Sequence, residues 1–248
     1  MMTTKKTAFI TGANKGVGLA TAKQLAQLDY QVYLGSRDKS NGQKAVEELR
    51  ELGLTNVDLI QIDVTDEESI IKAKLELESK MDRLDVLVNN AGIGGTYPQN
   101  ASEISIDNLR TVFETNFFGV IQVTQHFLEL LKKSGEPRIV NVTSGLGSLT
   151  NHSDPNAPYY DSFKYLKMMA YCSSKTSLNA FTVMLADEFK DTAFKINSVS
   201  PGFASTSLNN FTGTHSPDEV INAIIKYATL DQTGPTGKFV GEEGEVAW

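Results

Sequence analysis

The stretch T-A-F-I-T-G-A-N-K-G-V-G, residues 7–18, decides the predicted fold of this chain. Its first four residues predict a short buried strand, and an amphipathic pattern predicts a helix from Val17 to Leu28. Gly12 stands where the chain must turn tightly, and Gly16 and Gly18 open the helix. Glycines at these places let a diphosphate reach the backbone amides of a helix N-terminus. A merely flexible glycine turn is the alternative, and the strand before the glycines and the helix after them argue against it.

Strand-like and helix-like segments alternate along the rest of the chain. Further strands are predicted at 31–34, 57–62, 86–88, 138–142, 195–199 and 238–240, and helices at 42–52, 67–81, 106–132 and 171–189. Short apolar strands separated by helices imply a parallel sheet that is covered on both faces. Right-handed crossovers then give an α/β, doubly wound Rossmann fold with a central, mostly seven-stranded parallel sheet flanked by helices.

No linker or repeat divides the chain, which predicts a single domain over residues 1–248. One segment, at about 146–169, does not fit the alternation because it is longer than the usual connection of about 4–6 residues. Loops of that length are often functional, and we expect a short helix within this one at 160–168. It is therefore interpreted as an inserted segment that precedes the helix of Tyr171.

The composition is that of a globular protein, with 40% hydrophobic and 21% charged residues. A net charge of −7, from 23 basic and 30 acidic residues, argues against a general affinity for nucleic acid or anionic membranes. No apolar run approaches the roughly 20 residues of a membrane span, and no secretory signal is visible. The single cysteine, Cys172, cannot form an internal disulfide, so we expect a cytoplasmic protein. The three histidines are scattered, and no metal site is predicted.

The residues after the second predicted strand indicate which dinucleotide the glycine turn would hold. An acid there would bond the ribose hydroxyls of NAD, whereas this chain has Ser36-Arg37, with Asp38 one residue later. Arg37 and Lys15 can both bond a 2′-phosphate, which predicts NADP; alternatively, both are solvated surface cations. Asp63, after the third strand, can bond the adenine amino group or cap the next helix.

Tyr171 and Lys175 are four residues apart and therefore share one helix face. A free phenol has a pKa of about 10, whereas an acid–base group works best near pH 7. In a partly buried cleft an ammonium about 4 Å away supplies about 4 kcal/mol, enough to lower the phenol pKa by about three units. Ser144, at the end of the fifth strand, can polarise a substrate carbonyl or merely cap a turn. It lacks the G-x-S-x-G elbow of a hydrolase nucleophile.

Tyr160 and Lys164 have the same four-residue spacing and are competing candidates for the acid–base pair. Tyr171 is preferred because a long amphipathic helix follows it. Tyr160 is then interpreted as an aromatic of the substrate pocket or of the packing around it.

These motifs, in this order, resemble the short-chain dehydrogenase/reductase family over nearly the whole chain. The set consists of T-G-A-N-K-G-V-G from Thr11, Asp63-Val64, Asn89-Asn90-Ala91-Gly92, Asn116, Ser144, Tyr171-x-x-x-Lys175 and Pro201-Gly202 followed by Thr206. The resemblance implies a catalytic tetrad of Asn116, Ser144, Tyr171 and Lys175, in which Asn116 holds a water that links Lys175 to a proton path. The cofactor contacts that we expect are Gly12, Asn14, Lys15, Gly16, Val17, Gly18, Arg37, Asp63, Val64, Asn90, Ala91, Gly92, Tyr171, Lys175, Pro201, Gly202 and Thr206.

Two parts of the resemblance are more specific. It implies that residues 90–92 pack beside the adenosine part of the cofactor and that Pro201, Gly202 and Thr206 shape the nicotinamide pocket. Lys15, the inserted segment and the ending G-P-T-G-K-F, residues 234–239, resemble the NADPH-dependent carbonyl reductase branch. In that branch the insertion covers a helix face that many relatives use for tetramer formation, which implies a monomer here.

The leading functional hypothesis is NADPH-dependent reduction of an aldehyde or ketone, with Tyr171 protonating the forming alkoxide. The same residues would serve NADP-dependent oxidation of a secondary alcohol. A catalytically silent nucleotide-binding scaffold is the alternative outside the enzymes, and the complete tetrad argues against it. The side chains expected around the pocket predict an apolar carbonyl or alcohol substrate; they are Ile93, Leu146, Tyr159, Tyr160, Phe163 and Phe203.

Overall fold

The computed structural model describes residues 5–163 and 165–248, and its centre is one eight-stranded sheet. The strands are β1 (Thr7–Ile10), β2 (Gln31–Ser36), β3 (Val57–Gln61), β4 (Val86–Asn89), β5 (Arg138–Val142), β6 (Lys195–Val199), β7 (Phe239–Gly241) and β8 (Gly244–Glu245). They lie in the order β3-β2-β1-β4-β5-β6-β7-β8, and every neighbouring pair is parallel except β7 and β8. The predicted doubly wound Rossmann fold is confirmed, with one short antiparallel strand beyond the seven expected.

Helices cover both faces of this sheet. Those of the described residues are α1 (Gly16–Gln27), α2 (Lys39–Glu51), α3 (Glu67–Lys80), α4 (Ile106–Phe113), α5 (Gly119–Lys132), α6 (Leu149–Ser153), α7 (Tyr160–Phe163), α8 (Met169–Glu188), α9 (Pro217–Val220) and α10 (Asn222–Ala228). Within the described part of the chain, each helix is too short or too polar to span a bilayer.

Each face of the sheet has its own apolar core, because alternate residues of a strand point to opposite faces. In β1, Ala8 and Ile10 lie in the core beneath α1, α2 and α10, whereas Phe9 lies in the core beneath α3, α5 and α8. Phe9 stacks on Phe127 of α5, with ring centroids 5.1 Å apart. Burial on both faces explains why the strands of this sequence are almost uninterrupted apolar runs.

The parallel strands bring the predicted site residues to one edge of the sheet. Strands β2 and β3 lie on one side of β1, and β4 to β7 lie on the other, so the strand order reverses between β1 and β4. Ligands of open α/β sheets bind in the crevice at the carboxyl ends of the strands at such a point. The turns after β1, β4, β5 and β6 all leave the sheet at this edge.

Several elements differ from the predictions made from sequence. The single helix expected at 106–132 is interrupted between α4 and α5 by a π-helical segment, Glu114–Phe118. The inserted segment contains two short helices: α6 was not predicted, and α7 ends at Phe163 instead of reaching residue 168. Helices α9 and α10 were also not predicted, since four and seven residues are too few for a clear amphipathic period.

Candidate active site

The glycine turn after β1 has the backbone shape that requires glycine. Gly12 and Gly16 have φ angles of +64° and +57°, in the left-handed region that side chains disfavour. A Cβ atom on Gly12 would lie 2.9 Å from the Cα atom of Ala91, and one on Gly18 would lie 2.6 Å from the carbonyl oxygen of Gly12. No side chain can therefore be added at position 12 or 18 without moving the backbone of the turn.

Asn90 holds the glycine turn from the β4 side. Its Nδ2 donates to the carbonyl oxygens of Thr11 and Gly12 at 2.9 and 3.0 Å. In return, the Oγ1 of Thr11 accepts from the backbone N–H groups of Asn90 and Ala91 at 3.0 and 3.1 Å. Thr11 was not predicted as a site residue, although it opens the glycine motif, and it joins the two loops that form the crevice.

The end of β2 carries exposed positive charge next to the glycine turn. The backbone N–H of Ala13 donates to Gly35 O at 2.9 Å, so this turn lies beside the residues that precede Arg37. Arg37 and Lys15 are both exposed. The carboxylate of Asp38 accepts from the N–H of Asn41 at 2.7 Å and caps α2. The carboxylate of Asp38 is therefore already used as the N-cap of α2.

Asp63 lies at the end of β3 and makes a local turn. Its Oδ1 accepts from the N–H and the hydroxyl of Thr65 at 3.0 and 2.7 Å. The side chain that caps α3 is Asp66, which accepts from the N–H of Glu68 at 3.1 Å. The interpretation of Asp63 as the helix cap is wrong, and its contact with adenine stays a prediction. Val64 is buried.

The segment after β6 reaches the glycine turn. A Cβ atom on Gly16 would lie 3.3 Å from the Cγ2 of Thr206. Gly202, directly after Pro201, has a φ of +81°, a conformation that glycine favours. A nicotinamide pocket at this segment stays a prediction. Asn14 and Val17 of the turn are partly buried.

Ser144 meets Tyr171 where β5 approaches α8. Ser144 precedes the one-turn 3₁₀ helix Gly145–Gly147, and its Oγ accepts from the N–H of Leu146 at 3.2 Å. An interaction with the Ser144 side chain acts to lower the pKa of the Tyr171 phenol, which is only 8% exposed. Ser144 therefore caps its own turn and also contacts the predicted acid–base group.

Lys175 lies one helical turn after Tyr171, and its side chain is directed to the sheet. Its Nζ donates to Val142 O of β5 at 2.9 Å and lies 5.7 Å from the centroid of the Tyr171 ring. Lys175 is 4% exposed, which is unusual for a lysine. Tyr171 and Lys175 therefore share one face of α8 in the same buried cleft.

The pKa of the phenol differs from the expectation. Burial raises the pKa of Tyr171 to about 12, and the hydrogen bond with Ser144 opposes this rise only in part. Burial also lowers the pKa of Lys175 to about 8. The prediction that Lys175 brings the phenol pKa toward 7 is wrong for this structure. Both groups are desolvated, and the Lys175 ammonium hydrogen-bonds Val142 O.

Asn116 lies in the π-helical segment and is fully buried. Its Oδ1 accepts from the N–H of Ile93 at 2.9 Å, and its Nδ2 donates to Ile93 O at 2.9 Å and to the Oγ of Ser174 at 3.0 Å. A Cβ atom on Gly92 would lie 3.4 Å from the Oδ1 of Asn116 and 3.6 Å from the Nζ of Lys175. The structure therefore brings Gly92, Asn116 and Lys175 together, and the water held by Asn116 stays a prediction.

The inserted segment lies beside the Ser144 turn. A Cβ atom on Gly145 would lie 3.5 Å from the ring of Phe163 in α7. That ring stacks on Tyr159, with centroids 5.7 Å apart, and the Tyr159 hydroxyl donates to Glu243 at 3.2 Å. Of the competing pair, Tyr160 begins α7, and Lys164 lies outside the described residues.

Gln99 was missed by the sequence reasoning. It is 1% exposed, and its Oε1 accepts from the N–H of Ala170, 71 positions later, at 3.1 Å. No local pattern marks such a residue, because its partners are adjacent only in the folded chain.

The close contact between the Ser144 turn and α8 leads to a prediction about Gly147. A Cβ atom on Gly147 would lie 2.9 Å from both the carbonyl carbon and the Cβ of Lys175, so Gly147→Ala must separate the turn from the helix. We expect it to lower the free energy of unfolding by about 1–3 kcal/mol, as measured by urea denaturation. Gly145→Ala is the matched control, since its Cβ would make an ordinary contact at 3.5 Å. Equal stability of the two variants would contradict this packing.

The buried ammonium leads to a prediction about pH. Below about pH 8 the folded protein holds a charged lysine in a desolvated site. Between about pH 8 and 10.5 the folded state has lost this proton while the unfolded state keeps it, so wild-type stability rises with pH. Relative to wild type, Lys175→Met should therefore gain up to about 3 kcal/mol at pH 7, and the gain should decline toward pH 10.5. Denaturation at several pH values measures this difference in stability. A difference that does not change with pH would contradict the lowered pKa of Lys175.

Comparisons with known proteins agree with this architecture. Residues 6–216 match the family model described as short chain dehydrogenase. The short-chain dehydrogenase anuI of Penicillium roqueforti is 35% identical over 252 residues, which cover 99% of this chain and 98% of that protein. The (+)-neomenthol dehydrogenase of Arabidopsis thaliana is 33% identical over 285 residues, with 95% and 96% covered. The structure of NADPH-bound carbonyl reductase from chicken fatty liver has a TM-score of 0.82 at 26% identity, with 99% and 100% covered. The chain belongs to the short-chain dehydrogenase/reductase family of oxidoreductases.

Proposed function

We propose that the protein is an NADPH-dependent oxidoreductase that reduces the carbonyl group of an aldehyde or ketone to an alcohol. The observation that carries the proposal is that the Ser144 side chain interacts with the phenol of Tyr171 at the edge of the sheet that also carries the glycine turn. A hydroxyl pair can bond one carbonyl oxygen from two sides, and the phenol can give that oxygen a proton.

Each residue of the tetrad has a proposed role in this reaction. NADPH, when bound, supplies the hydride. Ser144 donates a hydrogen bond to the substrate carbonyl oxygen, and Tyr171 gives its proton to the same oxygen as negative charge develops there. Lys175 binds the nicotinamide ribose hydroxyls through its ammonium. Asn116 holds the water through which the proton is replaced.

Tyr171 is protonated at neutral pH, because burial raises its pKa to about 12. This is the form that a general acid needs, and it agrees with a role in reduction.

The crevice has the features that a dinucleotide requires. Adding a Cβ atom at Gly12 or Gly18 would collide with the backbone, and Gly16 has a left-handed φ, so only glycine suits this turn. The exposed cations Lys15 and Arg37 suit a 2′-phosphate, and the nearby acid Asp38 caps α2. These charges support NADPH over NADH.

The remaining cofactor contacts are proposed from their positions around this turn. They are Asn14, Val17, Asp63, Val64, Asn90, Ala91, Gly92, Pro201, Gly202 and Thr206. The contacts of Asn90 and Thr206 with the glycine turn support this set most directly, because both residues lie against backbone that would face the diphosphate.

The substrate that we propose is an apolar carbonyl compound. Phe163 lies beside the Ser144 turn, and Phe203, Leu208 and Phe211 are exposed on the segment that follows β6. We propose that these apolar side chains line the substrate pocket, which favours an uncharged ketone or aldehyde over a charged metabolite. Two similar proteins are named as a neomenthol dehydrogenase and a carbonyl reductase, which agrees with this class. We also propose a single domain, residues 1–248, that acts as a monomer in the cytoplasm.

Removing the hydroxyl of Tyr171 tests its proposed role as the general acid. Tyr171→Phe should lower kcat for carbonyl reduction by about 10²–10⁴-fold, because the general acid is lost while the ring is kept. The measurement is NADPH consumption with quinones, aromatic aldehydes, α-dicarbonyls and cyclic ketones. Tyr160→Phe removes the hydroxyl of the competing tyrosine and should keep most of the turnover. Loss of turnover in Tyr160→Phe with full activity in Tyr171→Phe would reverse the assignment.

Removing one cation tests the choice of cofactor. Arg37→Ala and Lys15→Ala should each raise the KM for NADPH by about 10–100-fold, since each removes a charge-assisted bond to the 2′-phosphate. The KM for NADH should stay unchanged, because NADH lacks that phosphate. Lys39→Ala removes a neighbouring exposed cation and is the matched control. Equal effects on NADPH and NADH would rule out a 2′-phosphate site.

A further inference from the structure

Helix α8 begins without a capping side chain of its own. Its N-cap residue, Met168, makes no side-chain cap hydrogen bond. The first N–H groups of a helix have no partner within the helix and need an acceptor from elsewhere. Tyr171 lies in this first turn, so whatever supplies the acceptor also sets the place of the phenol.

Gln99 accepts the hydrogen bonds of the first three residues of α8. Its carbonyl oxygen accepts from the N–H of Met169 at 3.1 Å. Its Oε1 accepts from the N–H of Ala170 at 3.1 Å and from the N–H of Tyr171 at 3.4 Å. A residue of the β4–α4 connection therefore does what an N-cap residue normally does.

The other end of the same side chain holds the loop after β4. The Nε2 of Gln99 donates to Gly94 O at 2.7 Å. Gly94 follows Ile93, whose N–H and carbonyl both bond Asn116. Asn116 donates to the Oγ of Ser174, and that hydroxyl donates to Tyr171 O at 2.8 Å. These contacts link the N–H of Tyr171 to its own carbonyl oxygen through Gln99, the loop after β4, Asn116 and Ser174.

We propose that Gln99 is a positioning residue for Tyr171. It fixes the position of the first turn of α8 relative to the loop after β4. An amide suits this position because it accepts from the helix with its oxygen and donates to Gly94 with its nitrogen. The two functions are separable: the oxygen stabilises the helix, and the nitrogen fixes the helix relative to the rest of the site. The inference rests on the proposed function only in that Tyr171 is the acid.

Two variants separate these functions. Gln99→Glu keeps the acceptor for α8 and loses the donor to Gly94, whereas Gln99→Met keeps the approximate shape and loses both. We expect Gln99→Glu to lower kcat at least about tenfold while the KM for NADPH stays within about twofold. The carboxylate, buried next to Gly94 O, should also lower the melting temperature. Gln99→Met should lose both kcat and stability.

Asn56→Asp is the matched control, since Asn56 also joins two main-chain carbonyls, those of Ala26 and Tyr30, at 2.8 and 2.6 Å. It should lower stability and leave kcat unchanged. A Gln99→Met enzyme with wild-type kcat would overturn the positioning role while leaving the reductase intact.

A protein that consumes no NADPH with any carbonyl compound would refute the proposed function instead. Hydrogen exchange at the N–H groups of Ala170 and Tyr171 then tests the inference without turnover. We expect exchange at least about tenfold faster in Gln99→Met and near wild type in Gln99→Glu, because only the first removes the acceptor. Unchanged exchange in Gln99→Met would overturn the role of Gln99.

Discussion

The contact between α8 and the turn after β5 is the constraint on which the whole site depends. Because Gly147 has no side chain, the turn lies directly against the backbone of Lys175. The hydroxyl of Thr176 donates to Gly147 O at 2.9 Å, and the ammonium of Lys175 donates to Val142 O at 2.9 Å. Strand, turn and helix are thereby joined as one unit. This close packing brings the Ser144 side chain near enough to the phenol on α8 to affect its pKa.

Burial at this contact also sets the protonation of the two central groups. The same desolvation raises the pKa of Tyr171 to about 12 and lowers that of Lys175 to about 8, because the neutral form of each is favoured away from water. The result is a protonated phenol at neutral pH, with a lysine that still carries its charge below about pH 8.

The loop after β4 connects the cofactor side of the crevice to the catalytic side. At one end Asn90 holds the glycine turn through the carbonyl oxygens of Thr11 and Gly12. At the other, Asn116 and Gln99 tie the loop to α8. A movement of this loop would therefore displace both the glycine turn and the first turn of α8, which carries Tyr171.

Local patterns in the sequence were sufficient for most of the strands and for the shared helix face of Tyr171 and Lys175. The strands at 7–10, 138–142 and 195–199 were predicted residue by residue because burial on both faces leaves continuous apolar runs. The four-residue spacing of Tyr171 and Lys175 placed both on one helix face. The capping of α8 by Gln99, the interruption of the long helix at Asn116 and the raised pKa of Tyr171 depended on the tertiary structure. Each of these arises from burial or from hydrogen bonds between distant segments, and such contacts exist only once the chain has folded.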